Sequence, residues 1–212
     1  FLAECVRIES TGESGYIESM KKFLEILVLG LFLITPSQAD DIRDFQIEGI
    51  SVGDSLLDFY SLDEITNANK TIYPTSDKIY QIELKARKEN NYDTLSFSLK
   101  KNDNLYKIFS VGGVKFFKND LKSCMDLKKK VIKATALDFS NLKEKTYEYK
   151  YLIDDKKSIA YITDFIFSDE SSIRAFCVNW SKITEKKRGF ADNFTLEISS
   201  REYLDWLNNE AY

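Results

Sequence analysis

Two observations predict an α+β fold, and a third predicts one compact unit. Short polar turns separate a series of apolar, strand-like runs. One long segment carries an amphipathic stripe. Only 8 Gly and 2 Pro occur in 212 residues, and no linker-like stretch follows residue 40. Tight turns join antiparallel neighbours, whereas parallel strands need long crossovers. The expected architecture is therefore an antiparallel sheet of about seven to eight strands, with one long helix and short helices packed mainly on one face.

Each element follows from local pattern. Phe45–Ile50 reads as a first strand, broken at Gly53. Asp54 or Ser55 is placed to cap a short helix through Leu56, Leu57, Phe59 and Tyr60. Ser61-Leu62-Asp63-Glu64 has the form of a capping box, predicting a further turn or two to Ala68. Asn69 to Asp77 reads as loop. Strands are expected over Lys78–Ala86, Asp93–Leu99 and Leu105–Val114, the middle one alternating Leu95, Phe97 and Leu99 with Thr94, Ser96 and Ser98. Lys101–Asn104 is a polar hairpin turn, and Gly112-Gly113 suggests a bulge or bend. Asn119 or Asp120 opens the long helix to about Phe139, with Leu121, Cys124, Leu127, Val131 and Ala134 on one stripe. The second half is β-rich: Lys145–Ile153, Ser158–Phe167, Ser172–Ile183 and Phe194–Ser199, with turns at Asp154–Lys157 and Ser168–Ser171. Ser200 caps a last helix bearing Tyr203, Leu204, Trp206 and Leu207. The two helix-then-strands units have the form of a degenerate repeat, without residue-level similarity.

The N-terminal region reads as a targeting segment. Met20-Lys21-Lys22, an apolar run from Phe23 to Ile34, and Thr35–Ala39 follow the order of a secretory signal peptide. Residues 1–19 are read as upstream or non-native sequence, 20–39 as the signal, and 40–212 as a single α+β domain; an extended start is the rival for 1–19. Glu25 weakens the apolar run. An anchor is the rival reading of that run, but about a dozen residues fall short of the roughly 20 a span needs. No stable membrane span is expected in the mature form, and a periplasmic or secreted location follows. With no Cys after the cleavage box, a lipid anchor is not expected.

Charge excludes whole classes of partner. Three of the 30 basic and five of the 34 acidic side chains lie in residues 1–39, leaving the remainder close to neutral. Nucleic acid and anionic membranes both require a basic excess. Lys128–Lys130 and Lys186–Arg188 read as solvated faces. Of three cysteines, Cys5 would be lost with the leader. Cys124 and Cys177 remain as an even pair in an oxidising compartment and are expected to form a disulfide, the alternative being two separate buried thiols.

The composition also limits the chemistry. The chain has no His, which removes the usual catalytic zinc sites and His-ligated haem. No Asp-x-Asp-x-Asp-Gly loop or Gly-rich phosphate loop occurs, and no cofactor is expected. Gly53-Asp54-Ser55-Leu56 resembles the nucleophile block of the GDSL esterase family, which would make Ser55 a nucleophile. The family's His base and its downstream Asp-x-x-His block have no counterpart, and an unassisted hydroxyl is a poor nucleophile at neutral pH. Capping explains the same letters. A pair of carboxylates acting on a glycan is compatible with the composition, but no pair is singled out. Asn69, Asn179 and Asn193 begin glycosylation sequons, which matter only in a eukaryotic secretory host; Met-Lys-Lys with a short signal reads as bacterial.

The most suggestive feature is aromatic. Tyr147, Tyr149 and Tyr151 alternate with charged residues, Tyr161 and Phe165 recur on the next strand, and Phe176 and Trp180 on the one after. If Cys177 bridges to Cys124, the Ala175 and Cys177 side lies under the long helix. Phe176 and Trp180 then point the other way. Tyr147, Tyr149, Tyr151, Tyr161, Phe165, Phe176 and Trp180 are the candidate ligand or partner face; the competing reading is a second core layer closed by the chain ends.

The opening Ile47–Ser55, running into a short amphipathic helix, resembles a group of small exported bacterial proteins of unknown function. In element order the helix-then-sheet units are similar to the β-lactamase-inhibitor-like fold of envelope assembly factors. That resemblance implies binding rather than catalysis. The expectation is an exported, non-catalytic binding or envelope-accessory protein, its partner an envelope protein or small ligand; the alternative is a His-free carboxylate hydrolase acting on glycan or peptidoglycan.

Overall fold

The computed structural model describes residues 41–88, 91–139 and 141–212. The expected signal at 20–39 and Cys5 lie outside the described residues. Eight strands form one antiparallel sheet: β1 Lys70–Ile72, β2 Ile79–Lys85, β3 Thr94–Lys100, β4 Ile108–Phe116, β5 Lys143–Lys150, β6 Ile159–Ile166, β7 Ser172–Asn179 and β8 Asn193–Ser199. Their spatial order is β1-β2-β3-β4-β8-β7-β6-β5. Two four-stranded meanders thus meet through their last strands, β4 and β8, from Ser110 opposite Ser199 to Phe116 opposite Asn193. A helix precedes each meander: α1, Leu62–Asn67, and α2, Leu121–Asp138. The expected capping box closes α1 through Ser61 and Glu64, and Asp120 caps α2 by accepting from Ser123 N–H.

Paired residues in neighbouring strands share a face. One row runs Ile82, Phe97, Val111, Ile198, Ile173, Phe165 across six strands. All six are at most 2% exposed, and burying each contributes about 1.5–3 kcal/mol. This core face is covered by α2, which lies on β7 and β8, and by the segment before α1. There Tyr60 meets Phe97, Phe45 meets Phe139, and Phe139 meets Phe167. The buried side of α2 is Cys124, Lys128, Val131 and Thr135. Lys128 is therefore not part of a solvated run, although Lys129 and Lys130 are exposed. Burial lowers the Lys128 pKa, with Glu144 and Asp164 partly compensating. Cys124 and Cys177 form the expected disulfide, pinning α2 to β7.

The helices do not share one face. Helix α4, Arg201–Asn209, lies on the side opposite α2. Tyr203 and Trp206 cover Ile79 and Phe109 there. A register shift in the β3–β4 pairing, between Ile108 and Ser110, leaves Phe109 outside the regular ladder. Such a bulge re-aims a side chain, and the resulting apolar patch needs its own cover. Gly112-Gly113, expected to bend the strand, sits in regular pairing. A Cβ at position 113 would stand 2.6 Å from the Tyr92 ring, so the requirement is for space.

Four further expectations are corrected. Phe45–Ile50 is not a strand: a 3-10 turn at Ile42–Asp44 precedes a tight turn in which Glu48 and Gly49 adopt φ 54° and 84°. Two left-handed residues between Ile47 and Ile50 make the short connection that a hairpin turn requires. The helix expected after Gly53 is one 3-10 turn, Leu56–Asp58, with no side-chain cap. The strand expected to reach Ile183 ends at Asn179, and Lys182–Arg188 form helix α3, capped by Ser181 and closed by Gly189 at φ 71°. The expected loop after Asn69 contains β1.

Candidate functional site

The face opposite α2 is open over much of its area, and the register decides what it carries. Tyr147 lies opposite Ile162, which lies opposite Phe176; Tyr149 lies opposite Ala160, which lies opposite Val178. These residues share the side away from Cys177. Tyr161 pairs with Cys177 and Phe165 with Ile173, which puts both on the α2 side. Phe165 is 2% exposed and belongs to the core. Tyr147, Tyr149, Tyr151, Phe176 and Trp180 are brought together around Ala160, Ile162 and Val178, with Tyr149 in contact with Tyr151; Tyr161 and Phe165 are not. Spacing within a strand assigns sides only relative to that strand, and the hairpin register links one strand's sides to the next.

Four of the rings form a continuous ladder. Tyr149 to Tyr151 is 5.1 Å between centroids, Tyr151 to Trp180 is 4.7 Å, and Trp180 to Phe190 is 4.7 Å. The ends are open, with Tyr149 51% and Phe190 42% exposed. The middle is enclosed: burial pushes the Tyr151 phenol up to about 12. Trp180 N–H donates to Asp192 Oδ1 at 2.7 Å, which fixes its place at the end of β7. Burial raises the Asp192 pKa. The Trp180 indole Nε1 is buried with no hydrogen-bond partner among the described residues.

Beside the ladder the centre of the face is polar. Arg174 Nε donates to Asp164 Oδ1 at 2.7 Å, and Tyr147 Oη donates to Asp164 Oδ2 at 3.0 Å. Burial works against the Arg174 charge, but the Asp164 bond and the charges of Asp164 and Glu197 outweigh it, so its pKa is raised. Glu197, opposite Arg174, accepts from Ser110 at 3.0 Å and Ser199 at 2.7 Å. A trough of about 940 Å³ crosses the face, walled on one side by Phe116, Trp180 and Phe190 and on the other by Gln81, Glu83 and Lys85. Aromatic faces on one wall and hydrogen-bonding groups on the other suit a ligand that is itself amphipathic.

Ser55 has no catalytic setting. Its hydroxyl donates to the Leu105 carbonyl at 2.7 Å, and its backbone forms an isolated bridge to Lys107. Asp54 accepts from Ser51 N–H. The Gly53–Leu56 match is therefore a tie between the N-terminal segment and the start of β4. Among the described residues, no cluster of three or more His, Cys, Asp or Glu side chains could hold a metal ion, and no helix is long and apolar enough to cross a membrane.

Sequence reasoning missed Phe190 and the Arg174–Asp164–Tyr147 network. Phe190 follows the C-cap glycine of an unrecognised helix, outside any periodic run. Arg174 and Asp164 carried a usable signal, since each lies two residues from an apolar residue of this face, Phe176 and Ile162. Comparison with protein-family models, curated proteins and solved structures finds no match to this chain.

Proposed function

We propose that this chain is an exported, non-catalytic binding or envelope-accessory protein that engages its partner through the open sheet face. The observation that carries this reading is the uneven covering of the sheet. Helix α2 and the segment before α1 close one side, while α4 closes only the Ile79 and Phe109 end of the other. Half-exposed aromatics and a polar trough remain on that side, the composition that interfaces favour. The signal-like segment from Met20 and the buried disulfide support export. Two helix-then-meander halves, joined at β4 and β8, support kinship with the β-lactamase-inhibitor-like fold.

The hydrolase reading has less support. The carboxylates along the trough are held by the protein itself: Glu83 accepts from Thr94, Asp93 from Phe116 N–H, and Glu197 from two serines. A catalytic pair would instead be aimed at substrate.

The test places a photo-crosslinking phenylalanine analogue at Phe190, with a control at exposed Lys130 on α2, in cells expressing the chain from Met20. A discrete adduct from position 190 alone, on a product beginning at Asp40, is the expected result. Equal labelling from both positions would refute the binding face, and an uncleaved product would refute export.

A further inference from the structure

We propose that β5 is a self-recognition edge through which two copies of this chain join their sheets about a two-fold axis at Tyr147. The two ends of the sheet differ. At one end β1 has only three residues, a length that blunts an edge. At the other, β5 runs for eight residues in unbroken register with β6, without proline or bulge. Seven of its residues are exposed and Tyr147 is half-buried. Among the described residues no strand pairs with its outer side. A long free edge invites another strand.

The charges on β5 choose the partner. Glu144, Thr146, Glu148 and Lys150 share one side; Lys143, Lys145, Tyr147 and Tyr149 share the other. Among the described residues, Glu144, Glu148 and Lys150 form no salt bridge within the chain. In an antiparallel pair of identical strands, residues on the same side oppose one another. With the axis at Tyr147, Glu144 faces Lys150 of the second copy, and Thr146 faces Glu148. On the other side Lys145 faces Tyr149, as Lys145 already lies 5.1 Å from the Tyr147 ring within one chain. Every charge then meets an opposite charge, a hydroxyl or an aromatic ring. Moving the axis to Thr146 sets Glu144 against Glu148; moving it to Glu148 sets that residue against itself; moving it to Lys145 sets two lysines together. Like charges directly opposite disfavour pairing. Of the two-fold registers that pair at least half of β5 with itself, only the one centred on Tyr147 is free of like charges, which is how charge patterns give specificity. One strand edge is a small interface, so the dimer is weak and concentration-dependent. It leaves both troughs open on the same side of a doubled sheet.

Sedimentation velocity over a concentration series of the purified, oxidised chain tests this, with the melting temperature of each variant as the folding control. The wild type is expected to shift from monomer to dimer, less so as salt is added. Glu144→Lys and Lys150→Glu each place like charges opposite one another twice and should weaken dimerisation by about tenfold or more. The double variant Glu144→Lys/Lys150→Glu restores opposite charges and should restore the dimer. A wild type that stays monomeric throughout overturns the proposal. So does a dimer indifferent to either single change, or a defect that the double exchange does not repair.

Discussion

Asp154 combines a turn with an anchor. Its φ of 48° is a left-handed conformation in the β5–β6 turn, which Asp tolerates better than most residues. Its carboxylate bonds Arg188 at 2.6 Å and Lys187 at 2.8 Å, tying the turn to the last turn of α3. The Arg188 and Lys187 contacts, in that order, hold its pKa down from 3.8 to about 2. A depressed folded-state pKa contributes stability above the unfolded value, and that contribution is lost as pH falls from near 4 through 2. Asp154→Asn keeps the backbone preference and removes the charge. Thermal melts at pH 7 and pH 2.5 should show a smaller acid-induced drop for this variant than for the wild type; an equal drop would remove Asp154 from the account. The aromatic residues were visible at this scale as types and spacings. Tyr147 and Tyr161 look alike in sequence, yet only Tyr147 reaches Asp164, because which side a strand presents depends on pairing that no single residue encodes.

The most consequential link between elements is the bond from α2 to β7. Cys124 and Cys177 are 53 residues apart in sequence and are 1% and 0% exposed. Closing a loop of that length in the unfolded chain corresponds to about 4 kcal/mol in the chain-entropy model. Cys124→Ala/Cys177→Ala should therefore lower the melting temperature by roughly 10 °C for a domain of this size, measured by thermal melts of the oxidised proteins. An unchanged midpoint would mean that the packing of α2 on β7 and β8 suffices without the bond. Elements with a strong local signal were legible: the α1 capping box, the extent of α2 with Cys124 and Val131 on its buried side, and the alternation of β3. Helix α3 was not, because its seven residues follow directly on a strand and its basic last turn resembles a solvated run. Strand β1 was not, because three exposed residues carry no period and depend on β2 for their form.

At the scale of the molecule, the absence of His has a direct consequence. No side chain with an ordinary pKa titrates between about pH 6.5 and 8. Melting temperature and any binding by the open face should be flat across that interval; a step within it would require a strongly shifted group at the site. The residue patterns by themselves determined the class of fold, the long helix, most strands and the cysteine pair, because helix and strand periods, capping and turn chemistry act over a few neighbouring residues. The tertiary structure alone decided the strand order, the meeting of β4 with β8, the division of the helices between two faces, and which aromatics share the open one. These depend on contacts between residues far apart in the chain. Phe109 is an example: outside the β3–β4 ladder, it joins Ile79 in an apolar patch that α4 covers, while the aromatic ladder and trough lie on the same face beyond that helix.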